Sequence, residues 1–487
     1  MQTNKTSHAS NCPLEMNRRG FLAGTGALAM GTKMGLLDFA SSLFAAQPVS
    51  DKKPLIRAVF VRPNIDAYWM GWPGAAYDIR ARQRQYTEIL NKAAEKLGVD
   101  LLVVKEPLHD DNRVNSLLES LKKIPPDGLI VVSMCLHAPG AGFDSWGQTN
   151  RIAKERGTIP TIVFSPMGTS FTGDLQATRN IPGVYVAATQ DLDWLEFGMR
   201  MLSAIWQMKN TRICICAGDK TTDQKLDVIG TTLHYIPSKR FVDDFKNVQE
   251  TDDVRAMADY YGKNAAKIVE PNKNDILDAA KNYVVCRRLM AAENCQGFSM
   301  DCLGPISAHQ MKPPCMAFSR LRDEGGLGTC EADWNAAIST RLTNLLFDRP
   351  GFMQDPAPNT VNNTLMAAHC TCATKLDGFD KPHEPFILRS HSESNTGVAM
   401  QVLWRAGQKI TIMKFQGPDT IILGTGQVLR NIDTPPAGGC RTSLEVELDG
   451  VADSRDTKGF HQLLIYGDLE LPFKAYCQLA GIKVVHI

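Results

Sequence analysis

Short apolar runs alternate with amphipathic helical patterns from residue 56 onward, and this alternation restricts the chain to α/β architectures. Ile56–Val61, Asp100–Val104 and Gly128–Met134 are dominated by aliphatic residues, which favours buried strands. Tyr77–Leu97 and Val114–Lys123, which lie between them, have the spacing of amphipathic helices. Strand–helix–strand repetition of this kind predicts a parallel, doubly wound sheet.

A second α/β unit is predicted to begin with the strand Gly183–Ala188, followed by a helix at Leu192–Lys209 and a strand at Arg212–Ala217. After about residue 375 the pattern changes to short successive strands such as Ile410–Phe415 and Ser443–Glu447, which is typical of antiparallel sheets and small barrels. The predicted fold is therefore two doubly wound parallel-sheet α/β domains followed by a C-terminal antiparallel, barrel-like β domain.

The predicted boundaries follow from these changes of pattern. They divide the chain into a signal and linker at 1–50, an N-terminal α/β domain at 51–180, a central α/β domain at 181–360 and a β-rich domain at 361–487. Among the 487 residues, 53 Lys and Arg nearly balance 52 Asp and Glu. This balance provides no electrostatic attraction for nucleic acid or for an acidic membrane, so neither is an expected partner.

The N-terminus has the pattern of a twin-arginine export signal. Arg18 and Arg19 precede the small and apolar segment Ala23–Ala46, which is interrupted by Lys33 and Asp38 and is too broken for a stable membrane span. We therefore expect the twin-arginine export machinery as a partner and a periplasmic location. The alternative is an amphipathic N-terminal helix that carries two arginines by chance.

The chain has 13 cysteines, an odd number, and several lie in apolar runs. Cys370 and Cys372 are too close in sequence for a zinc knuckle, and no cysteine pair has the usual two-residue gap. We therefore expect buried thiols rather than a disulfide framework or a structural zinc site.

Potential metal ligands concentrate between residues 323 and 372. Asp333 precedes a predicted helix and is expected to cap it, whereas capping does not account for Glu331. Asp355 lies 24 residues after Glu331 and precedes a proline, so a turn is its alternative role. His369 ends an apolar run, and its alternative role is that of a buried core residue, which is the commoner case for a lone histidine. Carboxylate and imidazole ligands together suit Mn²⁺, Mg²⁺, Fe²⁺ or Co²⁺.

Four segments together resemble the metal-site region of the L-fucose isomerase and L-arabinose isomerase superfamily. These are Glu331-Ala332-Asp333-Trp334, Phe352-Met353-Gln354-Asp355, His369 and Gly459-Phe460-His461-Gln462. The resemblance implies that Glu331, Asp355, His369 and His461 bind a divalent metal, most simply Mn²⁺. It also implies a homo-oligomer and an aldose–ketose isomerase acting on a sugar through a cis-enediol, with Glu331 and Asp355 as the acid/base pair.

Two positions depart from the arabinose isomerase pattern. Gln354 stands where that family has its second glutamate, and Phe460 replaces the first histidine of a C-terminal pair. A degenerate isomerase homologue that binds metal without turnover is therefore an alternative. An exported, non-catalytic sugar-binding protein is another, and it predicts no bound metal and a ligand in the cleft between the two α/β units.

Further residues are candidates for contact with the sugar, each with a simpler structural alternative. They are Trp69, Trp72, Asp301, His391 and Gln354. The two tryptophans follow the first predicted strand, where ligands of parallel sheets commonly bind, although a loop that packs on a neighbouring subunit would use them equally well. For His391 the alternative is a solvent-exposed position.

Overall fold

The computed structural model describes residues 52–69, 76–135, 142–435 and 438–487. The predicted export signal and Trp72 lie outside these residues. Within them, every helix is too short or too polar to cross a lipid bilayer.

The N-terminal part of the described chain is built on a five-stranded parallel sheet with the strand order β4-β1-β5-β6-β7. Its elements are β1 (Leu55–Val61), β2 (Ala67–Trp69), β3 (Ala76–Asp78), α1 (Ile79–Leu97), β4 (Asp100–Val103), α2 (Asp111–Lys123), β5 (Gly128–Ser133), α3 (Ser145–Glu155), β6 (Thr161–Ser165), α4 (Thr172–Arg179) and β7 (Val184–Ala188). The predicted doubly wound arrangement is confirmed here, because alternate residues of β1 face different helices. Phe60 packs in the cluster that contains Leu90 of α1, whereas Val59 packs with Leu117 of α2.

One strand was predicted to belong to the wrong sheet. Val184–Ala188 pairs with β6 at the edge of the first sheet, instead of beginning the second α/β unit. Neighbouring parallel strands are joined by a long crossover connection, usually a helix. The residues of such a strand therefore do not specify which sheet it joins.

The central part forms a second five-stranded sheet with the strand order β13-β12-β8-β10-β9. Its elements are α5 (Asp193–Lys209), β8 (Arg212–Cys216), β9 (Thr222–Lys225), β10 (Thr232–Ile236), α6 (Ser238–Asn247), α7 (Asp252–Asn264), β11 (Lys267–Ile268), α8 (Lys273–Ala292), β12 (Gly297–Met300), α9 (Leu303–Ser307), α10 (Cys315–Asp323), β13 (Leu327–Cys330) and α11 (Trp334–Phe347). This sheet is mixed rather than fully parallel, because the edge strand β9 runs antiparallel to β10.

The C-terminal part contains a closed antiparallel barrel of six strands in the order β18-β21-β14-β15-β20-β19, in which β18 also pairs with β19. The elements of this part of the chain are β14 (Phe352–Asn359), β15 (Thr364–His369), β16 (Phe386–Arg389), β17 (Ala399–Val402), β18 (Lys409–Phe415), β19 (Thr420–Asn431), β20 (Thr442–Leu448), β21 (Gln462–Tyr466), α12 (Glu470–Ala480) and β22 (Lys483–His486). Strands β16 and β17 lie outside the barrel and form a separate three-stranded sheet with β11. The barrel begins at Phe352, so Asp355 lies on a barrel strand. The predicted boundary at residue 360 had placed Asp355 in the central α/β domain instead.

Helix α11 connects the second sheet to the barrel. It leaves the end of β13, and two of its side chains bind the backbone around the end of β18: Ser339 accepts from Phe415 N at 2.8 Å, and Asn335 accepts from Gly417 N at 3.0 Å. Buried apolar residues of both sheets and of the barrel form one continuous cluster. The end of β13 is thereby fixed against one end of the barrel.

Candidate metal centre

Glu331 occupies a tight turn between β13 and α11. Glu331 and the following Ala332 both have left-handed backbone conformations, with φ values of 59° and 53°. Such conformations are unfavourable for residues with a Cβ and are often retained at functional sites. The next residue, Asp333, accepts a hydrogen bond from the backbone N–H of Ala336 at 2.9 Å, which confirms its predicted role as the cap of α11.

His461 faces this turn from the barrel. It precedes β21 and is also left-handed, with a φ of 54°. Its Nδ1 lies 2.9 Å from Oδ2 of Asp333, while its Nε2 lies 3.4 Å from Oε2 of Glu331 and 3.2 Å from Oδ1 of Asp355. When Nδ1 donates its proton to the Asp333 carboxylate, the lone pair of Nε2 faces the two other carboxylates. Histidines that bind a metal usually donate their other ring N–H to a carboxylate in this way.

His369 completes the group from the end of β15. Its Nε2 lies 3.9 Å from Oε1 of Glu331. Its Nδ1 accepts a hydrogen bond from the backbone N–H of Cys370 at 2.9 Å and lies 3.1 Å from the hydroxyl of Thr371. This places the proton of the neutral ring on Nε2, so Nε2 would have to give up that proton to bind a metal. Burial lowers the pKa of His369, and this favours the neutral imidazole that metal binding requires.

Three of the four predicted ligands form a compact group. One ligand atom each of Glu331, His369 and His461 lies within 4.8 Å of the other two. Asp355 is not part of this mutually close triad but contacts it through His461. A metal-binding role for these four residues stays a prediction.

The charges around His461 favour protonation of the imidazole when no cation is bound. Burial lowers the pKa of His461, but its interactions with the carboxylates of Asp333, Asp355 and Glu331 outweigh it and raise the pKa to about 10. Burial raises the pKa of Asp333, but its bonds to His461 and Lys414 outweigh it and lower the pKa to about 2. A proton therefore partly neutralises these carboxylates, in a position that a divalent cation could occupy.

Lys414 is a residue of the site that sequence reasoning missed. Its Nζ donates to Oδ2 of Asp333 at 2.6 Å and to the carbonyl of Phe460, so it ties the helix cap to the strained residue His461. Lys414 lies in the barrel strand β18, and only the three-dimensional pairing brings it to Asp333. No local motif marks it.

The polar atoms at the centre fit a metal ion. Oδ1 of Asp355 and Nε2 of His461 are both buried and have no hydrogen-bond partner of good geometry. The two atoms lie 3.2 Å apart without hydrogen-bond geometry, and a cation bound by both would satisfy them. Two imidazoles and two carboxylates form a donor set that suits first-row divalent cations.

The remaining predicted contact residues lie in separate environments. The amide of Gln354 is buried and donates to Oε1 of Gln462 at 2.9 Å. Asp301 is exposed after β12, and Trp69 ends the short strand β2. The alternative of a solvent-exposed His391 is wrong, because this residue is only 6% exposed and its Nδ1 lies 3.2 Å from the hydroxyl of Ser394.

The twelve cysteines of the described residues are free thiols, and all except Cys440 are buried, as expected. Cys370 follows the triad residue His369 and lies beside Cys440. The hydrogen bond between the two thiols lowers the pKa of Cys370 and raises that of Cys440.

A cavity of about 580 Å³ lies elsewhere, between α7 and the start of α8. All its lining residues come from 250–277, so it belongs to the second α/β unit and is not a cleft between the two sheets. None of the metal-centre residues lines it. The chemistry of the side chains, rather than the size of this cavity, therefore identifies the site.

Comparison with known proteins reveals no family relationship. No family model matches the chain, and no curated protein matches it. One solved structure with some similarity is the periplasmic component of an ABC-type sugar transport system from Hahella chejuensis, at 14% identity over 61% of this chain and 95% of that chain, with a TM-score of 0.16. Similarity this weak carries no argument about what the present chain binds.

These comparisons overturn the predicted membership of the L-fucose and L-arabinose isomerase superfamily. The resemblance rested on a few short segments, and such segments can recur in unrelated chains that need similar ligands. The isomerase function was implied by that resemblance, so this prediction is also wrong, including the acid/base roles of Glu331 and Asp355. Twin-arginine export, a periplasmic location and homo-oligomerisation stay predictions.

Proposed function

We propose that this chain is a metal-dependent binding protein that holds one divalent cation at Glu331, His369 and His461. The observation that carries the proposal is the triad, whose ligand atoms lie within 4.8 Å of one another although they come from three distant parts of the chain. Asp355 supplies a fourth donor through its Oδ1, which lies 3.2 Å from Nε2 of His461. When bound, such an ion supplies Lewis acidity and coordination positions for oxygen atoms of a small ligand.

Exposure at the site supports ligand access from one side. The histidine side chains are nearly closed off from solvent, at 7% for His369 and 5% for His461, whereas Glu331 and Asp355 are 31% and 34% exposed. A cation held here would have protein behind its imidazole ligands and solvent in front of its carboxylate ligands. A small ligand could thus reach the cation without any rearrangement of the barrel.

The donor set also guides the choice of metal. Mixed imidazole and carboxylate ligands suit Mn²⁺, Fe²⁺ and Co²⁺, and Mn²⁺ is our first choice. Such an ion accepts oxygen donors readily, and neighbouring hydroxyl groups can bind it as a chelate. We therefore propose a polyhydroxylated ligand, with sugars as the first class to test, and binding rather than turnover as the activity.

Metal titration tests the first part of the proposal. Chelator-treated protein is titrated with Mn²⁺ by isothermal titration calorimetry, beside Glu331→Gln and a control, Glu119→Gln, on the exposed face of α2. We expect one ion per chain, a loss of affinity of at least about 100-fold in Glu331→Gln, and no change in the control. Equal Mn²⁺ affinity in the two variants contradicts the proposal.

Ligand screening tests the second part. A panel of pentoses and hexoses is added to Mn²⁺-loaded and to chelator-treated protein, and the melting temperature is measured. We expect at least one sugar to raise the melting temperature only in the loaded form, because a ligand that binds the folded state stabilises it. A sugar that stabilises both forms equally would place the binding site away from the metal.

A further inference from the structure

We propose that Cys370 and Cys440 form a reversible disulfide, so that a thiol near the surface is coupled to the segment that carries His369. Both sulfur atoms lie against the same hydroxyl group. Oγ of Ser392 is 3.6 Å from Sγ of Cys370 and 3.8 Å from Sγ of Cys440. Cys440 also packs against the small buried cluster formed by Cys315, Cys370 and Ala399.

The two cysteines differ in their access to solvent. Cys370 is 2% exposed, whereas Cys440 is half-buried and is the one cysteine of the described residues that is not fully buried. Cys440 follows the exposed pair Gly438 and Gly439, whose φ values are 90° and 80°. A Cβ added to Gly438 would meet nothing within 4 Å, so an oxidant has space to approach there, and the backbone freedom of the two glycines allows Cys440 to move toward Cys370.

The pairing of the strands supports the same conclusion. His369 of β15 lies opposite Thr442 of β20 in the antiparallel pair, so the residues that follow His369 and those that precede Thr442 leave the paired stretch at the same end. Cys370 and Cys440 are the cysteines nearest to that end. A disulfide would therefore link the segment after β15 to the segment before β20 while the two strands stay paired.

The reaction needs an oxidant, and we propose a small-molecule disulfide such as oxidised glutathione. The half-buried thiol of Cys440 loses its proton to solvent and its sulfur attacks one sulfur of the oxidant, which forms a mixed disulfide and releases one small thiolate that takes up a proton. The thiolate of Cys370 then attacks the sulfur of Cys440, and the second small thiolate leaves and takes up a proton. Two protein thiols are oxidised, and one disulfide of the oxidant is reduced to two thiols.

Peptide mapping tests the proposal directly. The full chain is equilibrated with mixtures of reduced and oxidised glutathione, trapped with iodoacetamide and digested with trypsin. Cys440 falls in the tryptic peptide 431–441, where it is the one cysteine, and Cys370 falls in 342–375 together with Cys372. We expect a disulfide-linked pair of these peptides that grows with the share of oxidised glutathione and disappears with dithiothreitol.

Matched variants identify the partner. The linked pair should be absent in Cys370→Ser and in Cys440→Ser, and should persist in Cys372→Ser and in Cys315→Ser. A link that survives Cys370→Ser, or Cys440 that stops at the mixed disulfide with glutathione, overturns the proposal. The disulfide does not depend on the proposed metal site, so the linked pair should also form in Glu331→Gln.

Discussion

At the residue scale, the candidate centre combines unfavourable backbone conformations with unpaired polar atoms. Glu331, Ala332 and His461 are left-handed, and each such residue costs about 1 kcal/mol or more relative to an ordinary conformation. Lys414 and Asp333 form the ion pair that fixes the His461 ring from behind. The protein thus maintains a costly local geometry that positions Glu331 and His461 toward a common point.

Asp333→Asn separates the role of this residue as the cap of α11 from its role as the partner of His461 Nδ1. Asparagine still caps α11, because its oxygen can accept the Ala336 N–H, but its amide nitrogen cannot accept the proton of His461 Nδ1. We expect Mn²⁺ affinity to fall about 10- to 100-fold by calorimetry, with helix content by circular dichroism unchanged. Asp110→Asn, which alters the cap of α2, is the control and should retain full affinity. Unchanged affinity in Asp333→Asn would assign Asp333 to capping alone.

Glu445, which is not one of the metal-centre residues, makes a contribution to folding stability that depends on pH. Hydrogen bonds from Thr364 and Arg430 lower the pKa of Glu445 to about 2, from an ordinary value of 4.5. Because the folded-state pKa is depressed, the stabilisation is present above about pH 4.5 and disappears as the pH falls toward 2.

Glu445→Gln should therefore lower the free energy of unfolding by about 1–2 kcal/mol at pH 7, a figure reduced because Arg430 is largely exposed. Urea unfolding between pH 7 and pH 2 measures this difference, which should shrink through the acid range. The control, Glu447→Gln, is exposed on the same strand and should follow the parent protein at every pH. A pH-independent loss in Glu445→Gln would attribute its effect to packing rather than to charge.

At the element scale, the position of Glu331 depends on how closely β13 packs against α10. A Cβ atom added to Gly328 would lie 2.7 Å from both Cα and O of Phe318, which is closer than a Cβ approaches a non-bonded backbone atom in proteins. Glycine at this position thus allows the strand to lie directly on the helix backbone. The turn that carries Glu331 begins three residues later.

Gly328→Ala should push β13 away from α10 and displace Glu331. We expect a loss of about 1–3 kcal/mol in the free energy of unfolding and weaker Mn²⁺ binding, measured by urea unfolding and calorimetry. The matched control is Gly173→Ala in α4, where an added Cβ meets nothing within 4 Å and should leave both quantities unchanged or slightly raise stability. Unimpaired stability in Gly328→Ala would show that the two backbones can separate at no cost.

At the scale of the whole molecule, the sequence predicts single elements well and their partners poorly. The strand predicted at Ile56–Val61 is β1, and the helix predicted at Leu192–Lys209 is α5, because hydrophobic periodicity is local. The sheet that Val184–Ala188 joins and the closure of the barrel by β18 depend on contacts between distant residues. Glu331 and His461 were proposed from motifs, but nothing near Lys414 in the chain reveals that it binds Asp333.

Metal binding should stabilise the whole described fold, because the triad joins the second sheet to the barrel. At a Mn²⁺ concentration 100 times the dissociation constant, the expected gain is about 2.7 kcal/mol, which calorimetric melting detects as a higher melting temperature. Chelator should reverse the gain, and Glu331→Gln should show none. A melting temperature that is insensitive to Mn²⁺ in the parent protein would contradict a specific site.

The closed ring of the barrel also sets the order of events during biosynthesis. His461 emerges from the ribosome 130 residues after Glu331, together with β21, the strand that joins β14 to β18. A nascent chain that lacks this last strand has neither a complete ring nor the third residue of the triad. If the proposed site binds a metal, binding would therefore be a late step that has to wait until residue 461 has been synthesised.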